Sequence, residues 1–422
     1  MSGWVHVYAQ DRIPAQNDGG PENRLYSNLR AYSDLGFDVE LVYFRTPRGP
    51  NLIPDPTLDG VKWTAVSADS SGTRVSRTLR RGAAWLGRPR SLALDHQFVS
   101  RPLVRAAVRE RHTAAPGALH HFEYLATASA IPDVPHVRSI WSLNDIESRY
   151  TSELYVLRET LEERRPSPSE RRALARTRQA EQLVAQASKL VLCIGSQERE
   201  ELREQWGCEH AEYFPMSIPR EDPPTRTRSW GAGGVLRLLH VGGISSVPGY
   251  QSLQFILSEV LPRLGEETLA RLELHVVGAI GSNPRTAAVR AMAARFPCVQ
   301  LLDFQEDLRP HYAGADLQLV GCLAATGIRT RIIESLAYGV PVLSTGAGAA
   351  GLEGLCPEEN ILLADEPGSY AGYLEKVLRD PARLEALAMN ARATYDARYS
   401  RTAIADRLGA LLRSHFDVTA RS

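Results

Sequence analysis

The residues best suited to chemistry lie in segment 326–345, which reads TGIRTRIIESLAYGVPVLST. Thr326 is a favourable N-cap residue, so the pattern predicts a helix that starts there, with Gly327 in its first turn. The unpaired N–H groups at such a helix start favour an anion, and Arg329 and Arg331 add positive charge beside them. The segment therefore predicts a binding site for a phosphate group.

A carboxylate follows on the same predicted helix face. Glu334 lies two turns beyond Thr326, whereas the apolar side chains form the opposite stripe. Those apolar residues are Ile328, Ile332, Ile333 and Leu336. Gly339 is predicted to end the helix ahead of a short buried strand at Pro341–Leu343. A carboxylate below a cationic helix start suits a ligand that carries a pyrophosphate at one end and a ribose diol at the other.

This segment resembles the donor-nucleotide signature of GT-B glycosyltransferases, in particular the retaining family 4 group. In that group Glu-x7-Glu is followed by A-x-G-x-P-V-V-x-T; Glu334 stands at the second Glu, and AYGVPVLST at 337–345 matches the rest. Thr326 replaces the first Glu. In the family the first Glu contacts the donor sugar and the second contacts the ribose, so the resemblance implies a nucleotide-sugar site. Its implied residues in this segment are Thr326, Gly327, Ile328, Arg329, Arg331 and Glu334.

Two glycines follow the first predicted strand. Gly19 and Gly20, in NDGGPENR, precede a predicted helix, an arrangement that lets the backbone approach a ligand. A turn that only needs positive φ is the alternative. GT-B enzymes have a glycine-rich loop at this place that touches donor phosphate or acceptor, so the resemblance favours a binding role.

A second glycine pair, Gly242 and Gly243, ends a predicted strand in the other half of the chain. Many family members carry an Arg and a Lys in the following loop, where they clamp the diphosphate, but this chain reads ISSVPGY there. The neutralising charge is therefore assigned to the helix start and to Arg329 and Arg331. The alternative is that both arginines are solvated surface residues, although arginines in a first helix turn oppose the helix dipole unless an anion is present.

Two more residues follow neighbouring predicted strands. Gly278 and Phe304 occupy places where GT-B enzymes cradle the nucleobase. Phe304 is a candidate to pack on the base, and a position in the hydrophobic core is the commoner alternative for a phenylalanine.

The segment LHHFEY at 119–124 ends a strand where family 4 enzymes often place a histidine and a glutamate beside the reacting sugar. Adjacent strand residues point to opposite faces, so at most one of His120 and His121 faces a ligand. Several relatives read H-x-H-E, and Phe122 stands where their second histidine belongs. The resemblance implies catalytic roles for Glu123 and for His120 or His121, against the alternative of core or surface histidines.

The segment NDIES at 144–148 resembles the H-D-x-E-S segment of related transferases. Asp145 and Glu147 either bind acceptor hydroxyls or cap the next helix. Acidic residues favour the first helix turn, so the capping interpretation is the stronger of the two.

Strands and helices alternate in the first half of the chain, which predicts a parallel, doubly wound α/β sheet. The predicted strands are Trp4–Tyr8, Asp38–Phe44, Ala118–Phe122, His136–Leu143 and Leu190–Ile194, with a helix near Glu22–Leu35 and long charged helices between Asp145 and Ala187. The interval Pro47–Arg90 is rich in Pro, Gly and Ser and is interpreted as less regular, with room for a mobile loop.

The α/β alternation restarts after a Pro- and Gly-rich stretch. The predicted elements are strand Leu236–Val241, helix Ser252–Leu264, strand Leu272–Gly278, helix Thr286–Arg295 and strands Val299–Leu302 and Leu317–Val320. We therefore expect a GT-B arrangement of two Rossmann-like domains facing a cleft, with an acceptor-binding domain at 1–215, a linker at 216–234 and a nucleotide-sugar domain at 235–400. Whether the last helix, at 401–422, packs back on the first domain is left open.

The composition of the chain narrows the range of possible functions. The 422 residues contain 49 basic and 49 acidic side chains, so no net charge steers nucleic acid. The five widely spaced cysteines contain no C-x-x-C, and no acidic metal-binding motif is apparent, so we expect neither a metal nor another cofactor. No apolar run reaches the roughly 18 residues of a membrane helix and no signal peptide is recognised, which predicts a cytoplasmic protein. Peripheral membrane contact and a homodimer both stay open.

These patterns together predict a glycosyltransferase that moves a sugar from a nucleotide-sugar donor to a hydroxyl acceptor, with retention implied by the resemblance. A GT-B phosphorylase would need a Schiff-base lysine for its pyridoxal cofactor, and Lys376, the only lysine of the second half, lies in a late amphipathic helix. A nucleotide-sugar epimerase is a further alternative. So is a non-catalytic GT-B subunit that binds a nucleotide or a partner enzyme, because the first Glu and the usual cations are missing.

Overall fold

Apolar strands that alternate with helices build two separate parallel sheets. A computed structural model describes residues 3–15, 20–46, 49–67, 101–162, 165–218, 224–244, 247–281, 284–325, 327–416 and 418. The chain divides into a first unit, Met1–Ser152 with Arg165–Met216 and Ile404–Ser422, and a second unit, Glu153–Arg164 with Ser217–Ala403. Gly19 and Thr326, both predicted to bind the donor, lie outside the described residues.

The first unit contains a seven-stranded sheet in the order β3-β2-β1-β4-β5-β6-β7, with every neighbouring pair parallel. The strands are β1 (Trp4–Gln10), β2 (Asp38–Arg45), β3 (Lys62–Ser67), β4 (Leu119–Glu123), β5 (Arg138–Leu143), β6 (Leu190–Cys193) and β7 (Ala211–Tyr213). The helices are α1 (Gly20–Asp34), α2 (Arg101–Ala114), α3 (Tyr124–Ala128), α4 (Glu147–Glu162), α5 (Pro168–Ala187) and α6 (Ser196–Trp206), of which α4 belongs to the second unit from Glu153 onward.

The second unit contains a six-stranded parallel sheet in the order β10-β9-β8-β11-β12-β13. The strands are β8 (Leu236–Val241), β9 (Leu272–Val277), β10 (Val299–Leu302), β11 (Leu317–Val320), β12 (Val342–Ser344) and β13 (Leu362–Leu363). The helices are α7 (Val247–Gln254), α8 (Glu266–Leu269), α9 (Pro284–Ala293), α10 (Arg309–Gly314), α11 (Thr330–Ala337), α12 (Gly346–Ala349), α13 (Pro367–Arg379) and α14 (Arg383–Arg398).

The last helix, α15 (Arg401–Phe416), contributes to the core of the first unit. Ile404, Leu408 and Leu412 are buried there, in the same apolar cluster as Leu25 and Leu29 of α1. A second cluster lies on the opposite face of that sheet and is formed with α2, α5 and α6. Both faces of the sheet are therefore covered, as a parallel sheet of continuous apolar strands requires.

The strand order reverses once in each sheet, between β1 and β4 in the first unit and between β8 and β11 in the second. Loops that follow the two strands at such a reversal run to opposite sides of the sheet, which opens a crevice at the carboxyl ends of the strands. Open α/β sheets bind ligands in that crevice. The topology therefore marks one candidate site in each unit.

The helix that carries the predicted phosphate site starts later than its sequence suggests. Helix α11 begins at Thr330 and not at Thr326, and Arg329 is its N-cap, with φ −93° and ψ 94°. Gly327 has φ +56°, so the backbone of these preceding residues is not helical. The prediction of a helix start at Thr326 was therefore wrong, and Gly327 and Ile328 belong to a loop.

The first helix of the second unit is also less regular than predicted. In place of a helix at Ser252–Leu264, α7 ends at Gln254 and is continued by a π-helical segment, Phe255–Val260, and a 3₁₀ turn, Leu261–Arg263. Pro262 lacks an N–H group and its ring clashes with the carbonyl one turn earlier, which disfavours a regular α-helix at this point.

The interval interpreted as irregular contains an edge strand. Strand β3 pairs in parallel with β2 from Lys62 to Ser67, and its central residues, Trp63 to Val66, are β-branched, aromatic or small apolar side chains that suit a strand. Residues 68–100, which include the rest of the predicted mobile loop, lie outside the described part of the chain.

The described end of the predicted linker is held to the second unit. Asp316 is fully buried and accepts hydrogen bonds from the Arg226 guanidinium and from the backbone N–H of Arg237 at 2.9 Å. The Arg226 guanidinium also lies 3.3 Å from the centroid of the Trp230 ring. No helix among the described residues is long and apolar enough to cross a membrane.

Candidate functional site

Two glycines that follow β8 and β9 allow an arginine side chain to approach the backbone closely. Gly242 has φ +137°, and a Cβ atom added there would lie 2.8 Å from Nη2 of Arg331. Gly278 has φ +150°, and an added Cβ would collide with the carbonyl oxygen of Gly242. A side chain at Gly278 would therefore collide with backbone, whereas one at Gly242 would have to displace the Arg331 guanidinium, which lies directly against the backbone at the end of β8.

Arg331 is a partly buried cation without a full set of partners. Its Nη1 atom is buried and has no hydrogen-bond partner among the described residues. Burial lowers the pKa of Arg331, and the positive charge of Arg329 lowers it further. A charge in this position is destabilised by the loss of water and gains most from a bound anion. The site therefore favours a negatively charged group beside Gly242.

Arg329 has a different environment. Its Nε donates to the Cys322 sulfur at 3.2 Å, and its Nη2 donates to the carbonyl oxygen of Ala324 at 2.8 Å. These bonds hold the loop between β11 and α11 against the helix start. The structure thus separates the two arginines that the sequence placed together, because Arg329 stabilises the loop and Arg331 lies against the strand end.

Glu334 lies one helical turn beyond Arg331 and is 7% exposed. Its Oε2 atom accepts a hydrogen bond of 3.2 Å from the hydroxyl group of Tyr312, on α10. Tyr312 is 1% exposed, and its ring packs on that of Tyr338 with a centroid distance of 4.6 Å. Gly242, Gly278, Arg331 and Glu334 therefore meet at the crevice that the topology marks, together with Tyr312, which the sequence did not indicate.

A buried histidine lies beneath this arrangement. His240, in β8, is fully buried, and its Nδ1 lies 3.1 Å from the carbonyl oxygen of Leu319, so Nδ1 carries the hydrogen. Burial lowers the pKa of His240 to about 3, and the charge of Arg331 contributes. The imidazole is therefore neutral at physiological pH. Sequence reasoning did not single out His240, because an isolated histidine in an apolar strand has no distinctive spacing.

The remaining donor-site predictions fall on loops after neighbouring strands. A Cβ atom added at Gly243 would have no described atom of another residue within 4 Å. Phe304, after β10, is 69% exposed, which differs from a core position. The neighbouring Asp303 carboxylate accepts hydrogen bonds from the backbone N–H groups of Ile280, at 3.1 Å, and of Phe304, at 2.8 Å. These bonds order the loop that presents the Phe304 ring, so the ring is available to a ligand. Ile328 is half-buried in the loop before α11.

In the first unit, Glu123 and His121 form one buried network at the end of β4. Both are fully buried, with His121 Nε2 2.9 Å from Glu123 Oε1. Asn28 donates to the same carboxylate oxygen at 2.5 Å, and the Tyr32 hydroxyl lies 2.8 Å from His121 Nδ1. Burial raises the pKa of Glu123, but interaction with His121 and with Arg24 lowers it overall, so the carboxyl group is ionised.

His120 points to the other face of the sheet, as strand alternation requires. Its Nδ1 lies 2.8 Å from the hydroxyl of Tyr8, and its ring is 5.5 Å from that of His6. Burial lowers the pKa of His120 to about 3, with the neighbouring His6 as the next cause. His120 is therefore a neutral, buried histidine that the structure does not bring together with Glu123.

The predicted acceptor residues lie at the start of α4. Glu147 is the first residue of that helix and is exposed, and Asp145 is partly buried in the bend before it. The backbone N–H of Ser148 donates to the Glu181 carboxylate at 3.3 Å. Gly20 is the first residue of α1 and is half-buried. Within the described ranges, no group of three His, Cys, Asp or Glu side chains is arranged to hold a metal ion.

Comparison with known proteins finds a family model that matches the part of the chain containing this site. Residues 236–380, which contain the whole site of the second unit, match the family model described as Glycosyl transferases group 1. A comparison of the sequence with curated proteins finds no match.

Solved structures resemble the chain over nearly its full length. Sucrose-phosphate synthase from Thermosynechococcus elongatus has a TM-score of 0.67 and 17% identity, covering 99% of this chain and 100% of that chain. Alr3699/HepE from Anabaena, solved in complex with UDP, has a TM-score of 0.67 and 15% identity, with 97% and 100% covered. A glycosyltransferase from Rickettsia africae has a TM-score of 0.63 and 12% identity, with 98% and 99% covered. The chain therefore has the GT-B fold of these structures, and its residues 236–380 are similar to the group 1 glycosyl transferases.

Proposed function

We propose that this protein transfers a hexose or related sugar from a nucleotide-sugar donor to a hydroxyl group of an acceptor, and that the donor binds in the second unit. The observation that carries this proposal is Arg331, a partly buried guanidinium that lies against Gly242 at the strand reversal and whose Nη1 has no partner in the described part of the chain. A nucleoside diphosphate supplies the anion that this cation lacks. Structures of Alr3699/HepE, which share the fold, are described as complexes with UDP and with UDP-glucose.

The proposed reaction depends on stabilising the negative charge of the leaving diphosphate. When the bond between the sugar and the diphosphate breaks, negative charge grows on the leaving phosphate oxygen. A cation placed there before the reaction stabilises this charge, and the partial exclusion of water strengthens the effect. Arg331 takes this role, and Glu334 accepts hydrogen bonds from the ribose. The acceptor hydroxyl forms the new bond to the sugar and loses its proton.

The other predicted roles rest on the sequence alone. Retention of configuration is implied by the family resemblance, and metal independence is predicted from the lack of a metal-binding motif in the sequence. Glu123 and His121 stay candidates for a role near the reacting sugar, and their complete burial favours action through neighbouring groups. His120 is the weakest of these candidates, because it lies on the opposite sheet face. Acceptor binding by Asp145 and Glu147 also stays a prediction.

A panel of nucleotide sugars tests the proposal. We expect one donor to raise the melting temperature, since a ligand at one hundred times its Kd stabilises a protein by about 2.7 kcal/mol. That donor should then release nucleoside diphosphate slowly without acceptor, because water takes the acceptor's place. Arg331→Gln should slow the release, whereas Arg379→Gln, which alters an exposed arginine in the last turn of α13, should not.

Three results would count against this proposal. Failure of every nucleotide sugar to bind would exclude the donor site. A donor that binds tightly but is never cleaved, even with a cell extract supplied as acceptor source, would favour a non-catalytic subunit. Turnover of the sugar into an isomer without acceptor would favour the epimerase alternative.

A further inference from the structure

Tyr312 holds the Glu334 carboxylate from a different helix. Its hydroxyl donates to Glu334 Oε2 at 3.2 Å, and an ionised carboxylate can only accept, so the direction of this bond is defined. Tyr312 comes from α10, which precedes β11, whereas Glu334 comes from α11, which follows it. The bond therefore fixes a side chain of one element from another element of the same unit.

Tyr312 itself is held firmly. Its ring packs on Tyr338, 4.6 Å away, within an apolar cluster that also contains Leu239, Val277 and Val340. Its backbone N–H donates to the carbonyl oxygen of Leu308 at 3.1 Å. Tyr338 follows α11 directly, and its N–H donates to the backbone carbonyl of Glu334 at 3.0 Å. Ring, backbone and hydroxyl of Tyr312 are thus all constrained, and its hydroxyl occupies a defined position.

We propose that Tyr312 is a positioning residue for ribose recognition: it orients the Glu334 carboxylate so that the carboxylate accepts hydrogen bonds from the ribose of the donor. This inference rests on the proposed function. Recognition of a hydroxyl group depends on an acceptor that is already oriented, because an acceptor that must first be ordered gives up part of the binding energy. Loss of the phenolic hydroxyl should therefore reduce the preference for ribose over deoxyribose, with only a small effect on the stability of the fold.

The test is Tyr312→Phe, which removes one oxygen and leaves the ring packing intact. Affinities are measured by calorimetry for UDP, ADP and GDP and for the 2′-deoxy form of each, which identifies the base that binds. For that base we expect the wild type to favour the ribonucleotide about tenfold and Tyr312→Phe to reduce this preference to threefold or less. Glu334→Gln should reduce it similarly, and the double variant should show no further reduction.

Tyr395→Phe is the matched control. Tyr395 is also a buried tyrosine of the second unit, and its hydroxyl donates to the carbonyl oxygen of Ile218 at 2.6 Å. This substitution is expected to lower the melting temperature without changing ribose selectivity. A Tyr312→Phe protein that melts normally and keeps full ribose selectivity would overturn the positioning role alone. If the wild type binds none of the three diphosphates, both the inference and the proposed donor site fail.

Discussion

Neutralising Arg331 should weaken binding of the nucleoside diphosphate while leaving the free protein as stable as before. The buried Nη1 of this guanidinium has no hydrogen-bond partner among the described residues, and burial lowers the pKa of Arg331, so the free protein gains little from the charge. Hydrogen bonds to charged groups contribute roughly 1.5–3 kcal/mol. Arg331→Gln should therefore raise the Kd for the diphosphate by about 10- to 150-fold.

The nucleoside without phosphates isolates the effect of charge. Calorimetry with the diphosphate and with the corresponding nucleoside should show a large loss for the first and little change for the second. The free energy of unfolding of Arg331→Gln should stay within about 0.5 kcal/mol of the wild type or rise, since no hydrogen bond of the free protein is lost at Nη1.

Arg329→Gln provides the contrast. That substitution removes the bonds to the Cys322 sulfur and to the Ala324 carbonyl oxygen, so the variant should unfold about 1–2 kcal/mol more easily. The reasoning is refuted if Arg331→Gln loses equal affinity for nucleoside and diphosphate, or if it destabilises the free protein as much as Arg329→Gln does. Either result would mean that Arg331 is a structural residue and that another group holds the phosphates.

Three other predictions follow from the same contacts. Glu334→Gln should weaken diphosphate binding by roughly 1–3 kcal/mol in calorimetry without loss of the native circular dichroism spectrum, and unchanged affinity would remove its ribose role. Gly242→Ala should displace the guanidinium of Arg331 and lower the affinity for the diphosphate. In a protein that already carries Arg331→Gln, the same substitution should cause no further loss of affinity, and additive losses would contradict this coupling. The pKa of His120 is lowered to about 3 in the folded protein, whereas a histidine in the unfolded chain has a pKa of about 6.5. As the pH falls below about 6.5, His120 therefore binds a proton in the unfolded state only, and the free energy of unfolding should fall by up to about 1.4 kcal/mol per pH unit. The variant His120→Asn should lack this decrease between pH 6 and pH 4. If the free energy of unfolding falls equally steeply with pH in the wild type and in His120→Asn, the prediction is refuted.

The alternation of apolar strands and helices was sufficient to predict both sheets. All strands predicted in the two halves are present, because long apolar runs must be buried and helices between them must cover the sheet. Strands β3, β7 and β13, each at a sheet edge, were missed. Strands β7 and β13 have three residues or fewer, too short a run to form a periodic pattern, and β3 lies in the Pro-, Gly- and Ser-rich interval that was interpreted as irregular.

The signature around Glu334 predicts where the donor binds, which stays a prediction, but it did not give the local arrangement of the chain there. Local propensity favoured Thr326 as a helix cap, whereas Gly327 and Arg329 keep the chain out of the helix until Thr330. The side-chain bonds of Arg329 reach back seven and five residues to the loop after β11, and no sequence pattern records such partners. The same holds for His120 and His121, whose opposite orientations were predicted but whose partners were not.

The sequence by itself determined the parallel α/β organisation of both halves and the place of the nucleotide signature. Periodicity and turn chemistry act over a few residues, so they can be recognised along the chain. Only the tertiary structure decided which of the two arginines has an Nη1 atom without a hydrogen-bond partner among the described residues. That outcome depends on Gly242, which follows β8 and lies against the Arg331 guanidinium, and on Gly278, which follows β9 and packs on Gly242. The tertiary structure also brought Tyr312 to Glu334 across β11, because contacts between elements are set by sheet order and packing and not by spacing in the chain.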